Sequence, residues 1–255
     1  MATGVRTKSK GNVTLSEQEA DEEQKIDRLM ALIDEGNTPG VRQFILDEQA
    51  LGVNLADETG QTAVHRAINF TPESVNILNI LISNGALVDV PDDNGKRPIE
   101  RGIEYGDAVL RCVEILLEQK QADGTRTVQL LEKNPKTGNS LLHWAAWTGN
   151  ACMMKALLET GAFAEHLEEI NAQGQTAMHV AAFRSPKQVV ELLKDAGAQT
   201  NAVEKNARRL SRETPLMMAE SMGRKDNAEY LLSLGAAVDT ITFASKMKKI
   251  GKGKA

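Results

Sequence analysis

The sequence contains few aromatic residues, few cysteines and no long apolar run. Two Trp, two Tyr and five Phe make up 4% of the 255 residues, whereas cofactor pockets are usually richer in aromatic side chains. The cysteines, Cys112 and Cys152, lie in separate apolar helical segments, which excludes a closely spaced metal-binding pair and favours a reducing compartment. No stretch approaches the roughly eighteen apolar residues of a membrane span, and residues 1–20 lack the apolar core of a secretory signal. We therefore predict an intracellular protein, in the cytoplasm, with the nucleus or an organelle as alternatives.

An excess of positive charge is also lacking. The formal net charge is −5, so the chain as a whole does not attract phosphate backbones. A nucleic-acid partner would need a local basic patch, and residues 241–255, with five lysines, supply the clearest one. We assign these residues to a basic C-terminal tail, either solvated or an anchor for an acidic partner, RNA or an anionic membrane. Residues 1–24 are assigned to a polar N-terminal tail, although Ser16 could also begin a helix.

Repetition at a fixed period is the strongest signal in the sequence. Each copy of the repeated motif is followed by a second apolar block, and glycines close most of these blocks in the same phase. This spacing predicts a short helix, a turn, a second helix and a glycine stop. Two such helices cannot bury their apolar faces alone, so the units must stack into a solenoid. The copies, starting at Gly60, Gly95, Gly138, Gly174 and Glu213, are GQTAVHRAINF, GKRPIERGIEYG, GNSLLHWAAWTGN, GQTAMHVAAFR and ETPLMMAESMGR.

The repeated motif resembles the ankyrin repeat, whose unit carries Gly, any residue, TPLH, any residue, AA, then LL and GA. The best matches are residues 174–182 and 138–146. The resemblance implies an all-α ankyrin-repeat solenoid of about six helix-turn-helix units over residues 25–240, the first of which lacks the motif. The predicted units are about 25–56, 57–91, 92–133, 134–171, 172–202 and 203–240.

The third unit departs most from the family pattern, because Arg97, Glu100 and Gly102 stand where the family has Thr, His and Ala. Two inserts are also predicted, at about 119–133 and 204–212, and the first could form an added helical turn. Inserts in repeat proteins usually project from one face and often serve in binding.

Residues that could carry chemistry have a structural explanation. His65, His143 and His179 share one repeat position, and the resemblance implies that each forms a hydrogen bond across the turns between neighbouring units. Stacked helices lie about 8–10 Å apart, which is too far for these histidines to share one metal ion. Adjacent carboxylates such as Glu168 and Glu169 lie in turns without a nucleophile or base beside them. We expect no catalytic, metal or cofactor site, and no enzymatic activity.

A binding surface is predicted from the last two positions of each first helix, where the family's variable residues face the inner curved surface. Each pair contains one large apolar residue, and aromatic, Met and Arg side chains are typical of binding centres. The alternative is that neighbouring helices and inserts cover these residues, which would then be core; Trp144, inside the motif, is assigned to the core. The pairs are Asn69 and Phe70, Glu104 and Tyr105, Trp147 and Thr148, Phe183 and Arg184, and Ser221 and Met222.

These positions lead to a prediction of protein binding. The surface is acidic early in the chain and basic late, so a partner with the opposite gradient would be oriented by it. We expect an adaptor, scaffold or inhibitor that binds a partner on its concave face. The alternatives are a structural subunit of a larger assembly, for example a ribonucleoprotein, held by the inserts and basic tail, or a secreted effector acting in a host cell. The predicted contact residues are Phe70, Tyr105, Trp147, Phe183, Arg184, Met222, Asn69, Glu104, and the turn residues Asp93 and Lys136.

Overall fold

The computed structural model describes residues 17–48, 53–120, 127–203 and 213–236. Across these residues the chain forms twelve α-helices, one 3-10 helix and no β-strand, which confirms the all-α prediction. The helices are α1 (Glu17–Asp34), α2 (Thr38–Asp47), α3 (Ala63–Ala67), α4 (Ser74–Ser83), α5 (Pro98–Tyr105), α6 (Leu110–Glu118), α7 (Leu141–Thr148), α8 (Ala151–Glu159), α9 (Ala177–Arg184), α10 (Lys187–Asp195), α11 (Pro215–Ser221) and α12 (Lys225–Ser233), with the 3-10 helix at Gly106–Val109.

Consecutive helices pack in pairs, and the pairs stack along the chain. Helix α7 contacts α5 and α9, whereas α8 contacts α6 and α10, so first helices form one layer and second helices another. The core lies between the layers, where Leu116, Leu142 and Leu193 are buried. Each pair lies inside one of the six predicted units apart from the start of α1, while the unit boundaries themselves remain predictions.

Helix α1 begins at Glu17, so residues 17–24 belong to a helix and not to the N-terminal tail, in agreement with the alternative that Ser16 begins a helix. These eight residues, EQEADEEQ, are mostly strong helix formers, and their acidic side chains favour a helix N-terminus. Residues 21–24 are exposed. The sequence therefore has no apolar residues at helical spacing here that would indicate the helix. Lys25 forms an ion pair with Asp21 within α1 at 2.7 Å, and a second one with Glu48 at 3.3 Å that joins α1 to the end of α2.

The repeated histidines link neighbouring repeats, as predicted. In His143, Nδ1 accepts a hydrogen bond from the backbone N–H of Ser140 at 3.3 Å, and Nε2 lies 2.8 Å from the carbonyl oxygen of Gln175 in the next repeat. Because Nδ1 is an acceptor, the proton sits on Nε2 and the ring is neutral. Burial lowers the pKa of His143 to about 4. His65 and His179 make the equivalent bonds, to the carbonyls of Lys96 at 3.0 Å and Glu213 at 3.1 Å.

The third repeat replaces this histidine link with a buried ionic one. A carboxylate oxygen of Glu100 accepts the backbone N–H of Arg97 at 3.0 Å, which reproduces the role of the histidine Nδ1. The Arg97 guanidinium lies 3.9 Å from Glu100 and 3.7 Å from Asp89, and all three side chains are largely buried. Burial raises the pKa of both carboxyl groups, so their charge depends on the neighbouring cation.

Arg97 also holds the first insert. Its guanidinium donates to the backbone carbonyls of Gln129 and Glu132, the latter at 3.3 Å. The described part of this insert, residues 127–133, contains one hydrogen-bonded turn, from the N–H of Glu132 to the carbonyl of Gln129, and no added helical turn. The second insert, residues 204–212, and the basic tail, 241–255, lie outside the described residues.

Tight turns before each first helix place adjacent repeats in direct backbone contact. The side-chain oxygen of Asn134 accepts the N–H groups of Lys136 and Thr137, at 3.0 and 3.2 Å, and the carbonyl of Thr137 accepts the N–H of Ala172 at 3.1 Å. Gly138 follows with a φ of +67°, and a Cβ there would lie 2.7 Å from the Ala172 nitrogen. Glycine is therefore required both by the turn and by the approach of the next repeat.

Candidate protein-binding face

Five large apolar residues lie at or just beyond the C-terminal ends of successive first helices. We call Phe70, Tyr105, Trp147, Phe183 and Met222 the concave row, after the inner curved surface on which the ankyrin resemblance predicts them. Phe70 is 65% exposed, Met222 51% and Trp147 45%, whereas Tyr105 and Phe183 are half-buried. Because the first helices pack side by side, the row crosses one layer of the solenoid from the second repeat to the sixth.

The early part of the concave row is an aromatic pair. The rings of Phe70 and Tyr105 lie 4.7 Å apart between centroids, at an interplanar angle of 37°. Tyr105 also packs against the core, and the guanidinium carbon of Arg101 lies 5.1 Å from the centroid of its ring. Tyr105 thus supports Phe70 from below and leaves the Phe70 ring open to solvent.

The late part of the concave row contains an arginine stacked on a tryptophan. The guanidinium carbon of Arg184 lies 4.2 Å from the centroid of the Trp147 ring. Its Nε donates a hydrogen bond to the Trp147 carbonyl oxygen at 2.9 Å. Both residues are exposed. The cation–π contact and the hydrogen bond together hold the arginine over the ring.

The polar residues predicted beside the row fall into two groups. Glu104 pairs with Lys96 at 2.7 Å, and Lys136 donates to the backbone carbonyl of Asp93 at 3.4 Å, so these residues lie together on the exposed edge. Asn69 instead belongs to the turn between α3 and α4. Its side chain donates to the carbonyl of Arg66 at 2.9 Å and accepts the backbone N–H of Thr71, also at 2.9 Å.

Trp144 lies between the row and the core. It is half-buried and packs against core residues, whereas the sequence assigned it to the core outright. Lys96 lies 5.9 Å above its ring. The indole Nε1 is buried without a hydrogen-bond partner.

Comparison with known proteins identifies the repeats in the later part of the chain. Residues 122–204 and 142–242 match the family model described as ankyrin repeats (3 copies). This part of the chain carries ankyrin repeats. A chain in the structure of a predatory endopeptidase from Bdellovibrio bacteriovorus in complex with an immunity protein superposes with a TM-score of 0.65 at 19% identity, covering 81% of this chain and 97% of that one. An ankyrin repeat domain from Acinetobacter baumannii superposes with a TM-score of 0.60 at 24% identity, covering 82% and 98%. Both likenesses concern the fold.

One relative is similar over part of the ankyrin repeat region. Diacylglycerol kinase iota of Mus musculus is 39% identical over 95 residues, which are 37% of this chain and 8% of the kinase. This chain thus matches less than a tenth of that relative's length, and the matching part is repeat sequence. Ankyrin repeats generally bind proteins and are typically not enzymes, so the comparisons support a protein–protein interaction module.

Metal clusters and membrane-spanning helices are both absent from the part of the chain that the structure describes. Within the described ranges, no three His, Cys, Asp or Glu residues are grouped so that they could hold a metal ion. None of the helices described has the length and apolar character that crossing a membrane requires.

Sequence reasoning missed the contribution of Arg101. It occupies the repeat position that follows the histidine slot, where the other ankyrin repeats have Arg66, Trp144, Val180 and Met218. Arg101 reaches both the Tyr105 ring and the side-chain oxygen of Gln61, the latter at 2.7 Å. An arginine at a repeat position near two aromatic residues was the available signal.

Proposed function

We propose that this chain is a non-enzymatic adaptor or inhibitor that binds one partner protein along the concave row. The observation that carries the proposal is the exposure of Phe70, Trp147 and Met222 in one line across the first-helix layer. Covering large apolar side chains with a partner removes apolar surface from water, which is favourable. Contiguous patches of exposed apolar side chains therefore commonly mark interaction sites.

The remaining predicted contact residues have distinct places in this proposal. Arg184, Glu104, Asp93 and Lys136 form the polar rim, in which Lys136 contacts Asp93, Glu104 pairs with Lys96, and Arg184 forms no ion pair with another described residue. Such a rim orients a partner more than it adds affinity. Asn69 positions Phe70 by closing the turn that follows α3.

The proposal is tested by Phe70→Ala and Trp147→Ala, each compared with Leu46→Ala and Leu232→Ala. The two leucines are 57% and 45% exposed and lie on the second helices α2 and α12, away from the concave row. Affinity purification from the source organism with mass spectrometry identifies proteins captured by the unchanged chain. We expect the concave-row variants to lose a captured protein that both leucine variants retain. Loss of capture by all four variants alike, or by none, contradicts the proposal.

Thermal unfolding provides the second readout of the same variants. Exposed side chains contribute little to folding, so stability should change by about 0.5 kcal/mol or less for Trp147→Ala. A large loss of stability would place the residue in the core, as the alternative from the sequence holds. Deleting residues 241–255 distinguishes the proposed function from the alternative of a structural subunit in a larger assembly. Under that alternative, capture depends on the basic tail and not on the concave row.

A further inference from the structure

The Arg184 guanidinium is arranged like a preformed anion-binding group. Its Nε donates a hydrogen bond to the Trp147 carbonyl oxygen at 2.9 Å, and its guanidinium carbon lies 4.2 Å from the centroid of the Trp147 ring. The side chain is exposed, and it forms no ion pair with another described residue. Two terminal nitrogens therefore remain for a bidentate contact, which guanidinium makes best with carboxylate.

The surroundings of Arg184 are cationic and unneutralised, in contrast to the earlier repeats. Arg224 lies beside Arg184, donates a hydrogen bond to its carbonyl oxygen, and likewise forms no ion pair with another described residue. In the second and third repeats the cations are paired instead. Arg66 lies 3.5 Å from Asp34, and Lys96 lies 2.7 Å from Glu104.

The same short stretch offers apolar surface. Trp147 is 45% exposed beneath the guanidinium, and Met222 is 51% exposed two repeats further along the concave row. An acidic side chain with an apolar side chain beside it could thus use charge and desolvation together. Since Arg184 is already held in place by Trp147, little side-chain entropy remains to be lost when a carboxylate binds.

We infer that the partner, on the basis of the proposed function, offers an exposed peptide segment in which an Asp or Glu side chain pairs with Arg184 and a neighbouring apolar side chain packs on Trp147. The charge complementarity of the late repeats carries this inference, because the neighbouring Arg184 and Arg224 form no ion pair with another described residue. The segment would lie with its acidic end toward the sixth repeat, away from Asp93 and Glu104.

The inference is tested with a library of short random peptides displayed on yeast and selected against the full chain. Selections run in parallel on the unchanged chain, on Arg184→Gln, on Trp147→Ala and on Phe70→Ala. Arg111→Gln is the matched control, since Arg111 is an exposed arginine on α6, in the second-helix layer. We expect peptides with Asp or Glu next to an apolar residue from the unchanged chain and from the control.

Purified peptides then give the size of the effect. Arg184→Gln should weaken binding about ten-fold, which is what loss of a charge-assisted hydrogen-bonded pair predicts, and replacing the peptide's Glu by Gln should have the same effect. When the Arg184→Gln protein binds the peptide with Gln in place of Glu, the two losses of affinity should not add, because both changes remove the same contact. Arg184→Lys should bind between the two, since it keeps the charge and loses the bidentate geometry.

The outcomes separate this inference from the function on which it rests. Peptides that need Phe70 or Trp147 but show no acidic preference overturn the carboxylate inference and leave binding on the concave row intact. Peptides that bind equally well to the Trp147→Ala and Phe70→Ala variants contradict both. A selection that enriches no peptide also overturns the inference, because the late repeats then accept no short acidic segment.

Discussion

At the scale of single residues, three histidines each link two neighbouring repeats through the hydrogen bonds of a neutral imidazole ring. Protonating His143 would turn its Nδ1 from an acceptor into a donor facing the Ser140 N–H, so the bond at 3.3 Å would be lost. The pKa of this ring falls to about 4 when it is buried, whereas the unfolded chain titrates near the ordinary value of 6.5.

The pKa of His143 predicts how stability depends on pH. Below pH 6.5 the unfolded state takes up a proton that the folded state excludes, so the contribution of His143 is complete above pH 6.5 and is lost as pH falls toward about 4. Between pH 7 and pH 5 this amounts to about 2 kcal/mol of unfolding free energy. His143→Gln should remove that part of the pH dependence in urea unfolding. Glu100 has a raised pKa and changes stability with pH in the opposite direction. Because Glu100 is present in both proteins, its contribution cancels in the comparison. An identical pH dependence in both proteins would contradict the neutral-ring assignment.

Gly138 and Gly161 form a matched pair at the residue scale. Their φ angles are +67° and +72°, but a Cβ would meet the Ala172 backbone at 2.7 Å only in the first case, and nothing within 4 Å in the second. Gly161→Ala should cost about 1 kcal/mol of stability from the left-handed conformation alone. Gly138→Ala should cost about 3 kcal/mol, since overpacking against the next repeat is added. Equal shifts in the urea midpoint would show that the repeats do not approach as closely as described.

At the scale of one element, the N-terminus of α5 contains the largest departure from the family pattern. Arg97 and Glu100 replace a threonine and a histidine, yet the backbone cap survives because a carboxylate oxygen occupies the acceptor position of the ring nitrogen. The longer reach of Arg97 also allows it to bind the carbonyls of the insert that follows α6. The substitution is therefore suited to a repeat that has to hold a long connection.

A double-mutant cycle tests whether the pair acts as one unit. Arg97→Thr alone leaves Glu100 and Asp89 buried without their cation, and should cost about 3 kcal/mol or more. Arg97→Thr with Glu100→His reproduces the pair found at Thr62 and His65. Its loss should be smaller than the sum of the two single losses by about 2 kcal/mol in urea unfolding. Additive losses would mean that the two residues contribute independently.

Helix periodicity and the repeated motif predicted the pairing of helices well, because both follow from local apolar spacing. The start of α1 was left open, because the sequence allowed either a tail over residues 1–24 or a helix beginning at Ser16. Residues 21–24 are exposed and show no apolar periodicity that would decide between the two. The ionic cap at Arg97 and Glu100 was marked only as a departure from the motif. Its geometry depends on the insert, which no local pattern describes.

At the scale of the whole molecule, stacking explains why a binding face can exist at all. Each repeat buries its apolar side chains against its neighbours, so Phe70, Trp147 and Met222 can remain exposed at the ends of the first helices. The spacing of the repeated motif predicted which residues belong to the concave row. It did not predict that Tyr105 rests on the core, nor that Arg184 stacks on Trp147, because both depend on side-chain conformations between repeats.

Site-specific photo-crosslinking tests the central claim most directly. A photoreactive phenylalanine analogue replaces Trp147 in one protein and Leu232 in another, both positions being 45% exposed. After irradiation in cells of the source organism, mass spectrometry identifies the attached proteins. We expect one partner protein to be crosslinked from position 147, and not from position 232. Crosslinking of the same partner from position 232 alone would contradict binding on the concave row.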